Sequence, residues 1–315
     1  MTPHKAVLQL MLTPGLGSKT LSTLLLQLAS EQSDPEDVVM LPFTELVRLY
    51  KLRPEVASAI EQVREQATAI ADLLDEHGIY VLTVGSDEYP QRLSETLGRD
   101  APPVLFARGN LDILAQPAVG MSGSRHVSSA GLEATKASAE LLAVAGINVV
   151  SGYANGVDLV AHQTALETGG TTTFVLAEGI LNFRAKSGIR EHLNKSSFVV
   201  VSEFSPSLRW IARNAMQRNR TIIGLSNALL IVEAGLDGGT YAAGEEAIKR
   251  HSKLFVLRYS DPQLTPVGNQ TLIHTGGQEV RVDQDGQIAL GDVLDYAVSP
   301  SNQANPATLR QDTLF

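Results

Sequence analysis

Cysteine is absent from the 315 residues, which excludes disulfides, thiolate metal sites and cysteine nucleophiles and fits a reducing compartment. Long apolar runs are also missing. The N-terminal run from Ala6 to Leu12 is too short to span a bilayer, has no small-residue cleavage site and leads into a Pro-Gly turn, so neither an export signal nor a membrane segment is expected and the expected location is cytoplasmic. Positive charge is in deficit, with 25 Lys and Arg against 34 Asp and Glu and a net charge of −9. That balance argues against an indiscriminately basic nucleic-acid binder. Motifs of familiar chemistry are lacking too. There is no Gly-x-Ser-x-Gly elbow, no Gly-x-x-x-x-Gly-Lys-Ser/Thr loop and no His-Glu-x-x-His helix, so the common hydrolase, ATPase and metalloprotease routes have no support. Gly120 and Gly123 are wrongly spaced for a dinucleotide loop, and no NAD or other cofactor is expected.

The composition that remains, 43% hydrophobic and 19% charged, is that of a globular chain, and its length suits a main domain with a smaller companion. Charge is distributed unevenly. Between Arg184 and Arg220 eight Lys and Arg face only Glu191 and Glu203, a local balance of +6 against −15 for the remainder.

Apolar spacing in Val7, Leu8, Leu10, Met11 and in Leu21, Leu24, Leu25, Leu28 predicts a helical module over residues 1–80. A lead-in segment, 81–115, includes the break at Pro102-Pro103. From 116 to 298 short apolar strands alternate with amphipathic helices: Ala118 to Ser122, Asn148 to Ser151, Thr172 to Leu176, Phe198 to Ser202, Leu229 to Glu233 and Lys253 to Leu257. This pattern predicts an α/β, Rossmann-like, doubly wound and mostly parallel sheet, whose ligands sit beyond the carboxyl ends of the strands. The polar tail, 299–315, is expected to be disordered.

Three strand-to-helix junctions hold the candidate residues. After the first main strand come Gly123, Ser124 and Arg125, then His126 to Ser129; after the second, Ser151, Gly152, Asn155 and Gly156, then Asp158; after the fifth, Gly238, Gly239 and Thr240. Backbone N–H groups at a helix start, with Gly permitting close approach, suit an anion; ordinary turns with polar caps account for the same residues. His162 reads as structural. A helix predicted from Arg209 to Leu225 puts Arg209, Arg213 and Arg220 on one narrow face. With Lys186 nearby, this face fits phosphate binding as well as plain solvation. Trp210, Phe183 and Tyr153 are candidate stacking surfaces or core.

Taken in order, these segments resemble the DprA/Smf (DNA-processing protein A) family. The resemblance rests on Gly123-Ser124-Arg125; on SGYANGVDLVAH from Ser151 to His162; on Gly169-Gly170-Thr171; on Ser202-Glu203; on Arg218-Asn219-Arg220 with the Thr-Ile-Ile-Gly-Leu-Ser that follows; and on Val232-Glu233-Ala234. The N-terminal module, with Pro14 to Gly17 as its hairpin, resembles the family's helix-hairpin-helix or SAM-like region. The resemblance implies a non-enzymatic recombination mediator active in DNA uptake and transformation. It also implies single-stranded DNA bound at the residues above, including Asn219, a RecA-type recombinase as partner, and a homodimer.

Three features depart from the family pattern. Asn155 stands where the family has Arg, Gly179 to Ala185 replaces its Gly-Leu-Asp-x-x-Tyr-Pro segment, and a C-terminal winged helix is not expected. Two other readings stay open. One is a nucleotide sensor or a LOG-type nucleoside-monophosphate phosphoribohydrolase, through Asp237 to Tyr241 with Glu245 and Glu246. The other is an anti-phage defence component.

Overall fold

The computed structural model describes residues 3–299; the predicted disordered tail lies, but for its first residue, outside that range. The chain opens with helices α1 (Pro3–Leu12), α2 (Ser18–Glu31), α3 (Pro35–Val39), α4 (Phe43–Tyr50), α5 (Pro54–Gln62) and α6 (Arg64–Glu76). Leu8, Leu10, Leu21 and Leu28 fill the module's interior, as their helical spacing requires. The Pro14–Gly17 hairpin is an interhelical turn: Gly15 takes φ +82°, and its carbonyl accepts from the Arg53 guanidinium at 3.1 Å.

Next come β1 (Tyr80–Thr83), α7 (Gln91–Leu97) and β2 (Val104–Gly109), so the lead-in contributes two strands to the sheet. The remainder alternates: β3 (Ala118–Ser122), α8 (Ser129–Val144), β4 (Asn148–Ser151), α9 (Val157–Glu167), β5 (Thr172–Val175), α10 (Ser187–Arg190), β6 (Phe198–Ser202), α11 (Ala212–Gly224), β7 (Ala228–Ile231), α12 (Gly239–Lys249), β8 (Lys253–Tyr259), α13 (Val267–Thr275), β9 (Gln278–Val282) and α14 (Gly291–Val298).

The nine strands form one sheet in the order β1-β2-β6-β5-β4-β3-β7-β8-β9. The pairs β1–β2 and β2–β6 are antiparallel and all others parallel. Helices cover both faces, and the strand residues alternate accordingly. Leu229 and Ile231 join the cluster that continues into the N-terminal helices, whereas Leu230 joins the cluster on the opposite face with Met121 and Leu142. The mostly parallel Rossmann-like fold is the one predicted.

From β3 the chain winds to β6 on one side, then returns to place β7 on the other. The connections therefore diverge between β3 and β7, opening a crevice at the carboxyl ends of those strands.

Two strands and a helix start differ from the prediction. β2 was hidden behind the Pro pair that looks like a break, and β9 carries Glu279 and Arg281 on its outer face, where Glu279 pairs with both Arg281 and Arg258. Helix α11 begins at Ala212, not Arg209. The Leu208 carbonyl accepts from the Gly179 N–H at 2.8 Å and from Asn182 Nδ2 at 2.8 Å, which holds the preceding segment extended through Ile211 at φ −137° and ψ 149°.

Candidate nucleic-acid interface

The three Gly-rich junctions meet at the crevice. They line two adjoining depressions of about 390 Å³ and 560 Å³ that share Arg125, Ala154, Trp210 and Arg218. Ser124, Gly123, Gly239, Thr240 and Asn219 border the first, and Asn155 and Lys186 the second.

Glycine is required where the junctions touch. A Cβ on Gly123 would lie 2.4 Å from Val157 Cγ2, and one on Gly156, at φ +81°, would lie 2.3 Å from the Ser124 carbonyl. A Cβ on Gly152 would lie 2.0 Å from Arg218 Nη1. The bare backbone of Gly152 thus makes the space in which the Arg218 guanidinium lies.

Arg218 is the residue that sequence reasoning left out of the site. It is 7% exposed, donates no hydrogen bond among the described residues, and its nearest carboxylate oxygen, on Asp158, is 3.9 Å away. Its Nε is buried without a partner. Burial pushes its pKa down, and burial likewise raises that of Asp158 despite the nearby Arg218 charge. A largely buried guanidinium whose Nε has no acceptor is an expensive arrangement for a protein to maintain. The signal for it was the Arg-Asn-Arg run, but helical spacing alone could not tell which Arg faces inward.

Other predicted residues are placed differently from one another. The N-terminus of α8, expected to offer free N–H groups to an anion, is already occupied. Glu233 accepts from the Ser128 N–H at 2.9 Å and from the Ser128 hydroxyl, while Ser128 Oγ accepts from the Gly131 N–H at 3.0 Å. The carboxylate of β7's strand end thus serves as the helix's own anion. Ser151 is buried and donates to the Met121 carbonyl at 2.6 Å, so it braces the sheet and does not face the groove. Asn219 Nδ2 donates to the Gly239 carbonyl at 2.9 Å, tying α11 to the start of α12. Gly238 is exposed at φ +104° and lets the chain turn there.

The single cationic face predicted for Arg209, Arg213 and Arg220 does not form. Arg209 precedes the helix, and Arg220 is paired with Glu246 at 3.0 Å. Arg213 is exposed and borders a separate depression with Arg220 and Glu246. Glu246, which the hydrolase reading needs, is engaged by Arg220 and by Arg250 at 2.7 Å.

Asn155, standing in place of the family's Arg, accepts from Lys186 Nζ at 2.9 Å, and the ammonium lies 4.7 Å from the centre of the Tyr153 ring. Burial lowers the Lys186 pKa. Tyr153 packs with Phe174 and Phe183, so Phe183 is core and Tyr153 forms a wall of the second depression. His162 is fully buried, with Nδ1 2.6 Å from Thr172 Oγ1 and Nε2 facing the Gly152 carbonyl. Burial pushes its pKa down to about 3, and its role is structural.

Comparison with known proteins agrees with this architecture. A family model described as DNA recombination-mediator protein A matches residues 80–289. The chain is 32% identical over 201 residues to the DNA processing protein DprA of Streptococcus pneumoniae, a span covering 63% of this chain and 70% of that protein. It is 32% identical over 198 residues to protein Smf of Escherichia coli, covering 62% of this chain and 51% of that protein, so it spans about half the length of that relative. The X-ray structure of the pneumococcal DprA aligns with a TM-score of 0.72 at 26% identity, covering 89% of this chain and 95% of that one. DNA processing protein A from Helicobacter pylori, whose structure addresses its single-stranded DNA binding mode, aligns with a TM-score of 0.54 at 26% identity over 64% of this chain and 90% of that one. On its sequence, its sheet topology and these matches, the chain belongs to the DprA/Smf family of DNA recombination mediators.

Proposed function

We propose that this chain binds single-stranded DNA along the crevice between β3 and β7 and acts as a recombination mediator without turnover chemistry. The observation that carries the reading is the Arg218 guanidinium, buried beside Gly152 with no hydrogen bond among the described residues, and with Arg125 and Lys186 bordering the second depression beside it. A phosphodiester oxygen entering beside Gly152 supplies an acceptor to Arg218, and charge-assisted hydrogen bonds to a guanidinium are strong. Arg125 meets the same phosphate, Lys186 binds a flanking one, and the exposed Arg213 extends the path. The H. pylori relative described as binding single-stranded DNA supports the choice of ligand.

Delivery of the strand to a RecA-type recombinase, a homodimeric assembly and a cytoplasmic setting complete the proposal, in keeping with the family.

Anisotropy of a fluorescent oligo-dT strand across a salt series tests it, comparing wild type with Arg125→Ala and Arg213→Ala. Tight, salt-sensitive binding weakened in both variants is the expected result, with the salt slope shrinking by about 0.7 for each phosphate that is no longer neutralised. Failure of the wild-type protein to bind at low salt would overturn the reading.

A further inference from the structure

The chain has one tryptophan, and the fold leaves it 48% exposed at the groove. Trp210 borders both depressions, and so stands between them. Its position is set by neighbours that cannot easily shift. The Gly179 N–H donates to the Leu208 carbonyl at 2.8 Å and the Leu181 N–H to the Pro206 carbonyl at 3.0 Å. Asn182 Nδ2 reaches the same Leu208 carbonyl. Gly179 allows this close approach because a Cβ there would fall 2.2 Å from the Pro206 carbonyl oxygen. Residues 179–182 thus build the clamp that presents Trp210.

The indole meets a cation: the Arg125 guanidinium carbon is 5.8 Å from the ring centre. Leu208, Ile211, Met216 and Leu236 are also exposed. Exposed apolar side chains and a half-open indole, beside a groove in which Arg125, Arg218 and Lys186 stand among Asp158, Glu178, Glu233 and Asp237, suit a ligand that is part flat apolar ring and part anion. A phosphate alone does not use the ring, and a paired duplex does not offer its bases to it.

We propose that Trp210 is a stacking platform for one unpaired nucleobase, whose adjoining phosphate is held by Arg125 and Arg218. This inference rests on the strand-binding reading above and adds a recognition element to it. The groove selects strands with accessible bases, because the indole offers stacking that needs no particular hydrogen-bond edge. Arg125 serves both parts, ordering the indole and meeting the phosphate.

Because Trp210 is the only indole, its emission reports on the site directly. Oligo-dT and an abasic strand of the same length are titrated into the full-length protein, following both intrinsic emission and the anisotropy of labelled strands. Quenching by oligo-dT, with weaker binding and no quenching by the abasic strand, is the expected result. Trp210→Ala lowers oligo-dT affinity by roughly 5- to 150-fold, the range that base–aromatic stacking carries per base, while Trp210→Phe restores most of it. Far-UV circular dichroism establishes that both variants are folded. Equal binding of both strands with unchanged emission, and no loss in Trp210→Ala, would overturn the base platform and leave strand binding intact. Emission that shifts with protein concentration alone would assign the face to self-association and overturn it too. Absence of any strand binding by the wild type removes both the strand reading and this one.

Discussion

At the scale of single residues the groove is governed by a charge that the fold holds without adequate partners. Replacing Arg218 with Met keeps the volume and removes the desolvated guanidinium. The melting temperature is expected to fall, because the buried Asp158 loses the charge that faces it at 3.9 Å, and strand affinity drops by about tenfold or more. A melting curve and an anisotropy titration on the same preparation measure both, and unchanged affinity would remove Arg218 from the interface. Gly152→Ala acts on the same group from the other side. Its Cβ falls on Arg218 Nη1, so the guanidinium must move, and strand affinity is expected to fall as in Arg218→Met. The variant is also destabilised by roughly 1–3 kcal/mol through overpacking. Neither effect was legible in the linear sequence, where Gly152 looked like a phosphate-contacting glycine and Arg218 was one Arg among several.

At the scale of elements, the junctions between strands and helices divide the labour. The first and fifth are locked together, since the Glu233 carboxylate caps α8 through Ser128. Glu233→Ala keeps the Ser128 cap on the Gly131 N–H but leaves the Ser128 N–H and hydroxyl without their acceptor; a loss of about 1–3 kcal/mol in urea denaturation is expected, the range for a part-buried donor left unpaired. A stability equal to wild type would mean that water replaces the carboxylate. The extended segment before α11 shows why helical periodicity misled. Arg209, Arg213 and Arg220 have suitable spacing for one face, but the Gly179 and Asn182 donors capture the Leu208 carbonyl, so the helix cannot begin there. Strands β3 to β8 were legible because they are short apolar runs between polar turns. β9 was not, because its Glu279 and Arg281 make a charged outer face that reads as loop.

For the whole molecule, stability should depend on pH through His162. Burial holds its folded pKa at about 3, against an ordinary value of 6.5. Between those values the unfolded chain binds the proton that the folded state refuses, so the His162 contribution is complete above pH 6.5 and is lost as pH falls toward 3. The slope is about 1.4 kcal/mol per pH unit for one proton. Asp158 and Glu203, both raised chiefly by burial, act in the opposite sense: the folded state holds their protons more readily, and that contribution is lost as pH rises through the folded values. The comparison must therefore be made between wild type and His162→Gln. Denaturant midpoints are expected to converge as pH drops from 6.5 to 5, and parallel profiles would show that His162 is not buried as a neutral ring.

The alternation of apolar strands with amphipathic helices determined the doubly wound class by itself, because a sheet covered on both faces admits few other patterns. The ordered motifs likewise brought the family into view, since glycines at strand ends mark where backbones must approach. Which of those residues face the groove was decided only by tertiary structure. The close approach of Gly152 to Arg218, the Glu233 carboxylate on α8 and the clamp that presents Trp210 join residues far apart in the chain. Local periodicity carries no information about such pairings, because they arise from the sheet order that sets β3 beside β4 and β7.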